Sequence, residues 1–227
     1  SNVIVFIIES LSAEYMNFYS SKHSYTPFLD ELIHKSFVID DFFANGRSSI
    51  EAVPSILGGI PSVIGQPFIT SIYNSNRFNG LAAVLGEQGY ETLFFHAGQN
   101  GSMFRDSAAH ITGFKNYFGK NEYPNPNKDF DGAWGIWDHL FLDFMHDKLN
   151  KTPQPFVASV FTINPHQPYS VPPEFKGRFQ SGPLDVLEPL QYIDISLRNF
   201  FESIKDEPWY KDTLFVFTAD HASKSLY

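Results

Sequence analysis

The chain reads as an α/β protein with a mostly parallel sheet, on three observations. Apolar runs such as Val3-Ile4-Val5-Phe6-Ile7-Ile8 and Leu214-Phe215-Val216-Phe217 are short and bounded by polar residues, the pattern of strands buried in a parallel sheet. Segments with helical apolar spacing lie between such runs, so strand and helix alternate along the chain. The runs also end on chemistry-bearing residues: Glu9-Ser10 follows the first and Thr218-Ala219-Asp220-His221 closes the last. Ligands of open α/β sheets sit in the crevice at the carboxyl ends of the strands.

Taken in order, residues 3–8 predict a buried strand, with Ser1-Asn2 set aside from the fold as a possible cloning remnant. Residues 25–37 predict a helix, with Thr26 as cap, Pro27 in the first turn and apolar residues at Phe28, Leu29, Leu32 and Ile33. Residues 36–43 read as another short strand. A turn through Asn45-Gly46-Arg47 then leads into Ile50, Val53 and Ile56-Leu57 at helical spacing, which places Ser48 and Ser49 near a helix start. Residues 79–88 predict a helix closed by Gly89, followed by a strand over 91–95 that ends on His96. Residues 120–131, rich in Asn, Pro and Asp, predict a surface loop, and 134–149 a helix in which Trp134 and Trp137 are expected in the core. A strand over 155–162 leads to Asn164-Pro165-His166-Gln167-Pro168-Tyr169, and an irregular stretch, 171–183, follows. An amphipathic helix over Leu187–Ile204 precedes the last strand, 214–218. No repeat or linker divides the chain, so residues 1–227 form one domain.

Composition narrows the function. The 227 residues carry 16 Lys and Arg against 25 Asp and Glu, a formal charge of −9, which argues against nucleic acid as a partner. An anionic substrate therefore needs a local positive focus, either a metal or a few Arg and His. The absence of cysteine excludes disulfides, Cys-ligated zinc, a cysteine nucleophile and a formylglycine made from cysteine. No run of about 18 apolar residues is present.

Glu9, Ser48-Ser49, His96, His166 and Asp220-His221 all fall at strand or turn ends, which a parallel sheet gathers on one edge. Glu9, Asp220 and His221 make an oxygen–oxygen–nitrogen set suited to Mn²⁺, Zn²⁺ or Mg²⁺. A hydroxyl beside that metal would be a fourth ligand and an activated nucleophile, and a helix N-terminus behind it would favour an anion in front. Arg47 and Arg105, with the imidazoles, suit the non-reacting oxygens of a phosphoryl group. Each residue also has a plainer reading: Glu9 or either serine as a helix cap, His96 and His166 as hydrogen-bonded structural histidines.

The ordered motifs Val3-Ile4-Val5-Phe6-Ile7-Ile8-Glu9-Ser10, Asn45-Gly46-Arg47-Ser48-Ser49-Ile50-Glu51, Phe95-His96-Ala97-Gly98, His166-Gln167-Pro168-Tyr169 and Thr218-Ala219-Asp220-His221-Ala222-Ser223 span nearly the whole chain. Together they resemble the lipoteichoic-acid-synthase-like branch of the sulfatase and alkaline phosphatase superfamily, which includes phosphoglycerol transferases of the bacterial envelope. The resemblance implies an alkaline-phosphatase-like three-layer α/β/α sandwich, truncated at its C-terminus, with a membrane anchor outside residues 1–227. It implies action at the extracytoplasmic face of the bacterial cell membrane on a phospholipid or glycopolymer substrate. Glu9, Ser49, Asp220 and His221 would hold one divalent ion, Mn²⁺ first, with Zn²⁺, Mg²⁺ or Ca²⁺ as alternatives. Ser49 would be the nucleophile and His166 would meet the substrate or leaving group. His96, Asn100 and Arg105 would line the substrate pocket. Ser49 fits a subgroup pattern Gly-Arg-Xaa-Ser-Ile-Glu and is preferred over Ser48, which fits the synthases' Gly-Xaa-Thr. The expected reaction is phosphoryl-group transfer on a phosphodiester, phosphoglycerol or a similar head group, through a phospho-serine. The alternatives are a sulfuric or phosphoric ester hydrolase of the same fold and a non-catalytic envelope glycopolymer-binding domain. The formylglycine signature Cys/Ser-x-Pro-x-Arg is absent, since Ile50-Glu51-Ala52 follows Ser49, which counts against sulfate esters.

Overall fold

The computed structural model describes residues 1–20, 24–63, 65–76 and 78–223. Its centre is a five-stranded sheet of β1 (Asn2–Ile8), β2 (Glu91–His96), β3 (Asn116–Phe118), β4 (Phe156–Phe161) and β5 (Thr213–Ala219), in the order β3-β2-β4-β1-β5. Every pairing is parallel. The helices among the described residues are α1 (Asn17–Ser20), α2 (Pro27–Ile33), α3 (Ser49–Gly58), α4 (Leu81–Glu87), α5 (Arg105–Ile111), α6 (Asp138–Leu149) and α7 (Leu187–Ile204).

The two-residue period of the strands divides the core. On β1, Ile4, Phe6 and Ile8 join Phe95, Ala158 and Val160 under residues of α2, α6 and α7. Val5 and Ile7 face the other way and, with Phe94, Val157 and Phe161, meet residues of α3, α4 and α5. The result is the expected three-layer sandwich, with β1 buried on both faces. Phe6 anchors the first layer, stacked on Phe217 at 4.8 Å between ring centres and packed against Phe200 and Phe201 at 5.8 Å. No helix among the described residues is long and apolar enough to cross a membrane.

Several elements differ from expectation. The 214–217 run is an edge strand rather than one buried on both faces. Phe215 and Phe217 pack on the α7 side, but Leu214 is 60% exposed and Val216 also faces out, because β1 is the only strand paired with β5 among the described residues. Residues 36–43 form no strand: without a neighbour to pair with, Phe37, Ile39, Phe42 and Phe43 lie exposed in an irregular stretch. The helix expected over 134–149 begins only at Asp138, because the Asp131 carboxylate draws the amides of Ala133, Trp134 and Gly135 into a turn. Trp134 accordingly lies 37% exposed, not in the core. Asn2 belongs to β1: it is buried, and its Oδ1 accepts the Phe156 amide at 3.0 Å. The N-terminus of α2 is satisfied not by the Thr26 side chain but by Asp194 of α7, which accepts the amides of Phe28 and Leu29 at 2.9 and 3.0 Å. The strand β3 and the helix α5 were not anticipated at all.

Candidate metal centre and nucleophile

The register pairs Ile8 of β1 with Ala219 of β5, so Glu9 and Asp220 leave adjacent strands side by side. Ser10 turns back immediately, with a left-handed φ of 57°. In that conformation its amide donates to Asp220 Oδ1 and its hydroxyl to Glu9 Oε1, both at 2.9 Å. The Glu9 amide donates to Thr162 Oγ1 at 2.9 Å, which ties the end of β1 to the end of β4 on its other side. The third member comes from the next residue: the His221 amide donates to Asp220 Oδ1 at 2.7 Å. His221 Nδ1 donates to the Ala222 carbonyl at 2.8 Å, and this leaves the Nε2 lone pair facing the carboxylates.

Ser49 arrives from the opposite layer as the first residue of α3, buried, with its hydroxyl 3.1 Å from Glu9 Oε2 and 3.2 Å from His221 Nε2. Ligand atoms from Glu9, Asp220 and His221 all lie within 4.8 Å of one another. The donor set fits a divalent cation. Asp220 Oδ2 is buried and accepts no hydrogen bond among the described residues, with His221 Nε2 lying 3.2 Å away. Two buried carboxylates and an imidazole lone pair thus converge on one point with spare acceptor capacity.

Electrostatics agree with that fit. Burial first, then the Asp220 charge, pushes Glu9 up to about 8, against the opposing pull of the Ser10 hydroxyl and Arg105. Arg105, itself buried, is drawn below its ordinary value by burial while Glu9 and Asp220 push it back up, and its guanidinium lies 4.8 Å over the Phe161 ring. Burial, then Arg105, holds His96 well below the usual imidazole range, and its Nδ1 donates to the Phe161 carbonyl at 3.1 Å.

Glu9, His96, Arg105 and His166 share the lining of one cleft. The other residues singled out from sequence lie elsewhere. The Asn100 side chain is engaged outside the cleft lining, donating to Glu122 Oε2 at 3.0 Å and accepting the Asn121 amide at 3.2 Å. Arg47 is exposed. Ser48 sits at the N-cap position of α3, but its hydroxyl donates to Glu51 Oε2 at 3.1 Å rather than capping backbone amides as expected. The Glu51 carboxylate gathers the turn, accepting also the Arg47 amide at 2.7 Å and the Ser62 hydroxyl. Trp134, assigned to the core from sequence, also lines the cleft, its ring centre 4.4 Å from that of His166. Its place just after the turn-forming pair Asp131-Gly132 was the available signal.

Comparison with known proteins shows the family and the fold. The sulfatase family model matches residues 1–226. The chain is 28% identical over 229 residues to the lipoteichoic acid synthase-like protein YvgJ of Bacillus subtilis, an alignment covering 97% of this chain and 36% of that protein. It thus spans about a third of the length of the curated relatives it matches. Among solved structures, an alkaline phosphatase superfamily protein from Vibrio parahaemolyticus superposes with a TM-score of 0.86 at 27% identity, over 99% of this chain and 55% of that one. The lipoteichoic acid synthase LtaP of Listeria monocytogenes shares the fold, with a TM-score of 0.83 at 21% identity over 98% of this chain and 57% of that one. With one alignment running from end to end and one fold shared throughout, this chain belongs to the sulfatase family.

Proposed function

We propose that the chain is the core of a metal-dependent phosphotransferase that moves a phosphoryl group from a phosphodiester through a phospho-serine on Ser49. The observation that carries this reading is the Ser49 hydroxyl, 3.1 Å from Glu9 Oε2 and 3.2 Å from His221 Nε2, at the mouth of a buried carboxylate–imidazole set. Glu9, Asp220 and His221, with Ser49 as fourth ligand, are the residues that would hold the ion, Mn²⁺ in the first instance. When bound, such an ion lowers the pKa of a neighbouring hydroxyl and neutralises charge that develops on phosphoryl oxygens.

The chain's own groups supply the rest. Ser49 Oγ, as the alkoxide, attacks phosphorus and the ester oxygen of the donor leaves, with the α3 N-terminus behind the nucleophile favouring the anion. Arg105 and His96 hold the oxygens that do not react. His166 gives a proton to the leaving oxygen and then orients the acceptor hydroxyl that resolves the phospho-serine. The lipoteichoic acid synthases among the relatives support phosphoryl-group transfer on envelope components, and hence a phospholipid or glycopolymer head group at the extracytoplasmic face of the membrane. The presence of all four candidate ligands, one of them the Ser49 hydroxyl, favours an enzyme over a binding domain.

The test is turnover, with and without added Mn²⁺, of a nitrophenyl phosphodiester, phosphatidylglycerol and an aryl sulfate. Metal-dependent loss of either phosphodiester with phosphate trapped on Ser49 is the expected result. Turnover of the aryl sulfate alone, or turnover unaffected by chelation, refutes the proposal.

A further inference from the structure

Trp134 packs in none of the apolar clusters formed by the described residues, yet it is held firmly. Its ring stands over His166 at 4.4 Å, edge to face. The carbonyl of Gln167 accepts two hydrogen bonds, one from the Trp134 indole Nε1 and one from His166 Nδ1 at 3.1 Å. A carbonyl oxygen has no proton to give. Nδ1 therefore carries the ring proton of neutral His166, and Nε2 is the nitrogen left with a lone pair.

Both partners of this clamp are fixed from behind by polar side chains, Asp138 and Asn164 buried and Asp131 half-buried. On the tryptophan side, Asp131 Oδ1 accepts the amides of Ala133, Trp134 and Gly135 at 2.8, 2.7 and 3.0 Å. On the histidine side, the Asp138 carboxylate accepts the amides of Ile163 and Asn164 at 3.1 and 2.8 Å, just before His166. Asn164 joins the two: its Oδ1 accepts the Asp138 amide at 2.7 Å and its Nδ2 donates to Asp131 Oδ2 at 3.3 Å. The loop also closes on the segment that follows His96, where a Cβ on Gly135 would stand 2.1 Å from the Ala97 carbonyl oxygen.

The geometry points to Trp134 as a positioning residue for His166: the indole N–H and the Gln167 carbonyl together hold the imidazole as its Nδ1–H tautomer, with Nε2 free for proton transfer. The catalytic use of that nitrogen rests on the phosphotransferase reading. There, Nε2 takes the proton of the acceptor hydroxyl as its oxygen bonds to phosphorus and the Ser49–phosphorus bond breaks, and the resulting imidazolium is the form that protonates a leaving oxygen in the next cycle.

Nitrogen NMR of the uniformly ¹⁵N-labelled full chain reads the tautomer without any need for activity. The expected result is a His166 protonated at Nδ1 in the wild type. In Trp134→Phe, which keeps a ring over the imidazole and removes the donor, the Nδ1–H share should fall toward the Nε2–H form. Turnover of a nitrophenyl phosphodiester should drop about tenfold in kcat, as for loss of an orienting partner of a working histidine, with KM within about twofold. Trp134→Leu, which removes ring and donor, should repeat the tautomer shift. An Nε2-protonated His166 in the wild type, or an unchanged tautomer in both variants, overturns the inference. Unchanged turnover in His166→Ala with the tautomer shift intact would overturn the proposed role of His166 instead.

Discussion

Metal binding at the Glu9 site should be a proton-exchange reaction, and its stoichiometry can be worked from the structure. Burial and the neighbouring Asp220 charge push Glu9 up to about 8, and a carboxylate must lose its proton to ligate a cation. One pH unit below its pKa a group is protonated in about ten molecules out of eleven. At pH 7 each Mn²⁺ that binds should therefore release about 0.9 proton from Glu9 alone, and below that pH the apparent affinity should fall about tenfold per unit, or ~1.4 kcal/mol. The ion-free protein carries the matching signature. Folded Glu9 binds its proton more tightly than at its ordinary value of 4.5, so stability is full below about 4.5 and is lost as pH rises toward 8. Isothermal titration with Mn²⁺ at pH 7, in two buffers of different ionisation enthalpy, counts the protons. Thermal unfolding with a chelator at pH 5 and 7.5 reads the second effect. A release below about 0.3 proton, or Glu9→Gln binding Mn²⁺ as tightly as the wild type, would refute the reasoning.

Ser49→Ala should abolish metal-dependent turnover and phosphoserine trapping, while Ser48→Ala, which removes only a hydrogen bond to Glu51, should keep most of both; the reverse result would move the nucleophile by one residue. Asp194→Ala strips the carboxylate from the amides of Phe28 and Leu29 and should destabilise the fold by about 1–2 kcal/mol in urea unfolding, with metal affinity unchanged. A loss under about 0.3 kcal/mol would mean that water replaces the cap.

What the sequence disclosed and what it hid follow from the range of the forces concerned. β1 and α7 were legible because burial writes itself into neighbouring residues: a run of apolar residues in one, an apolar stripe over Leu187–Ile204 in the other. The strand β3 escaped because three residues carry too little pattern. The helix α5 escaped because Met103 and Phe104, both left-handed at φ 50° and 55°, precede it where a capping residue would announce a helix. Residues 36–43 misled because strand composition says nothing about whether a partner strand exists. At the site, Glu9, Asp220 and His221 stood out as strand-end residues. The separate jobs of Ser48 and Ser49 depend on a single residue of helix start, and the duty of Trp134 on a contact with Gln167, 33 residues away, neither of which local pattern encodes.

The site is also unevenly supported. Glu9 directly follows β1, an inner strand paired on both sides, with its amide bonded to Thr162 on one side and its neighbour Ser10 bonded to Asp220 on the other. Asp220 and His221 extend an edge strand whose outer residues, Leu214 and Val216, face outward. The last ladder bonds reflect the difference: the Thr162 amide reaches Ile7 O at 3.1 Å, whereas the Asp220 amide reaches Ile8 O at 3.4 Å. An edge held from one side opens more readily than a strand held from both. In the ion-free chain, hydrogen exchange at the Asp220 amide should accordingly outpace that at Thr162 by tenfold or so, which corresponds to ~1.4 kcal/mol of local stability. Added Mn²⁺ should narrow the gap, because an ion held by Glu9, Asp220 and His221 would lend the edge strand the rigidity of its inner neighbour. Equal exchange at the two amides without metal, or a gap that metal leaves unchanged, would show that the ligands are already locked and that binding orders nothing.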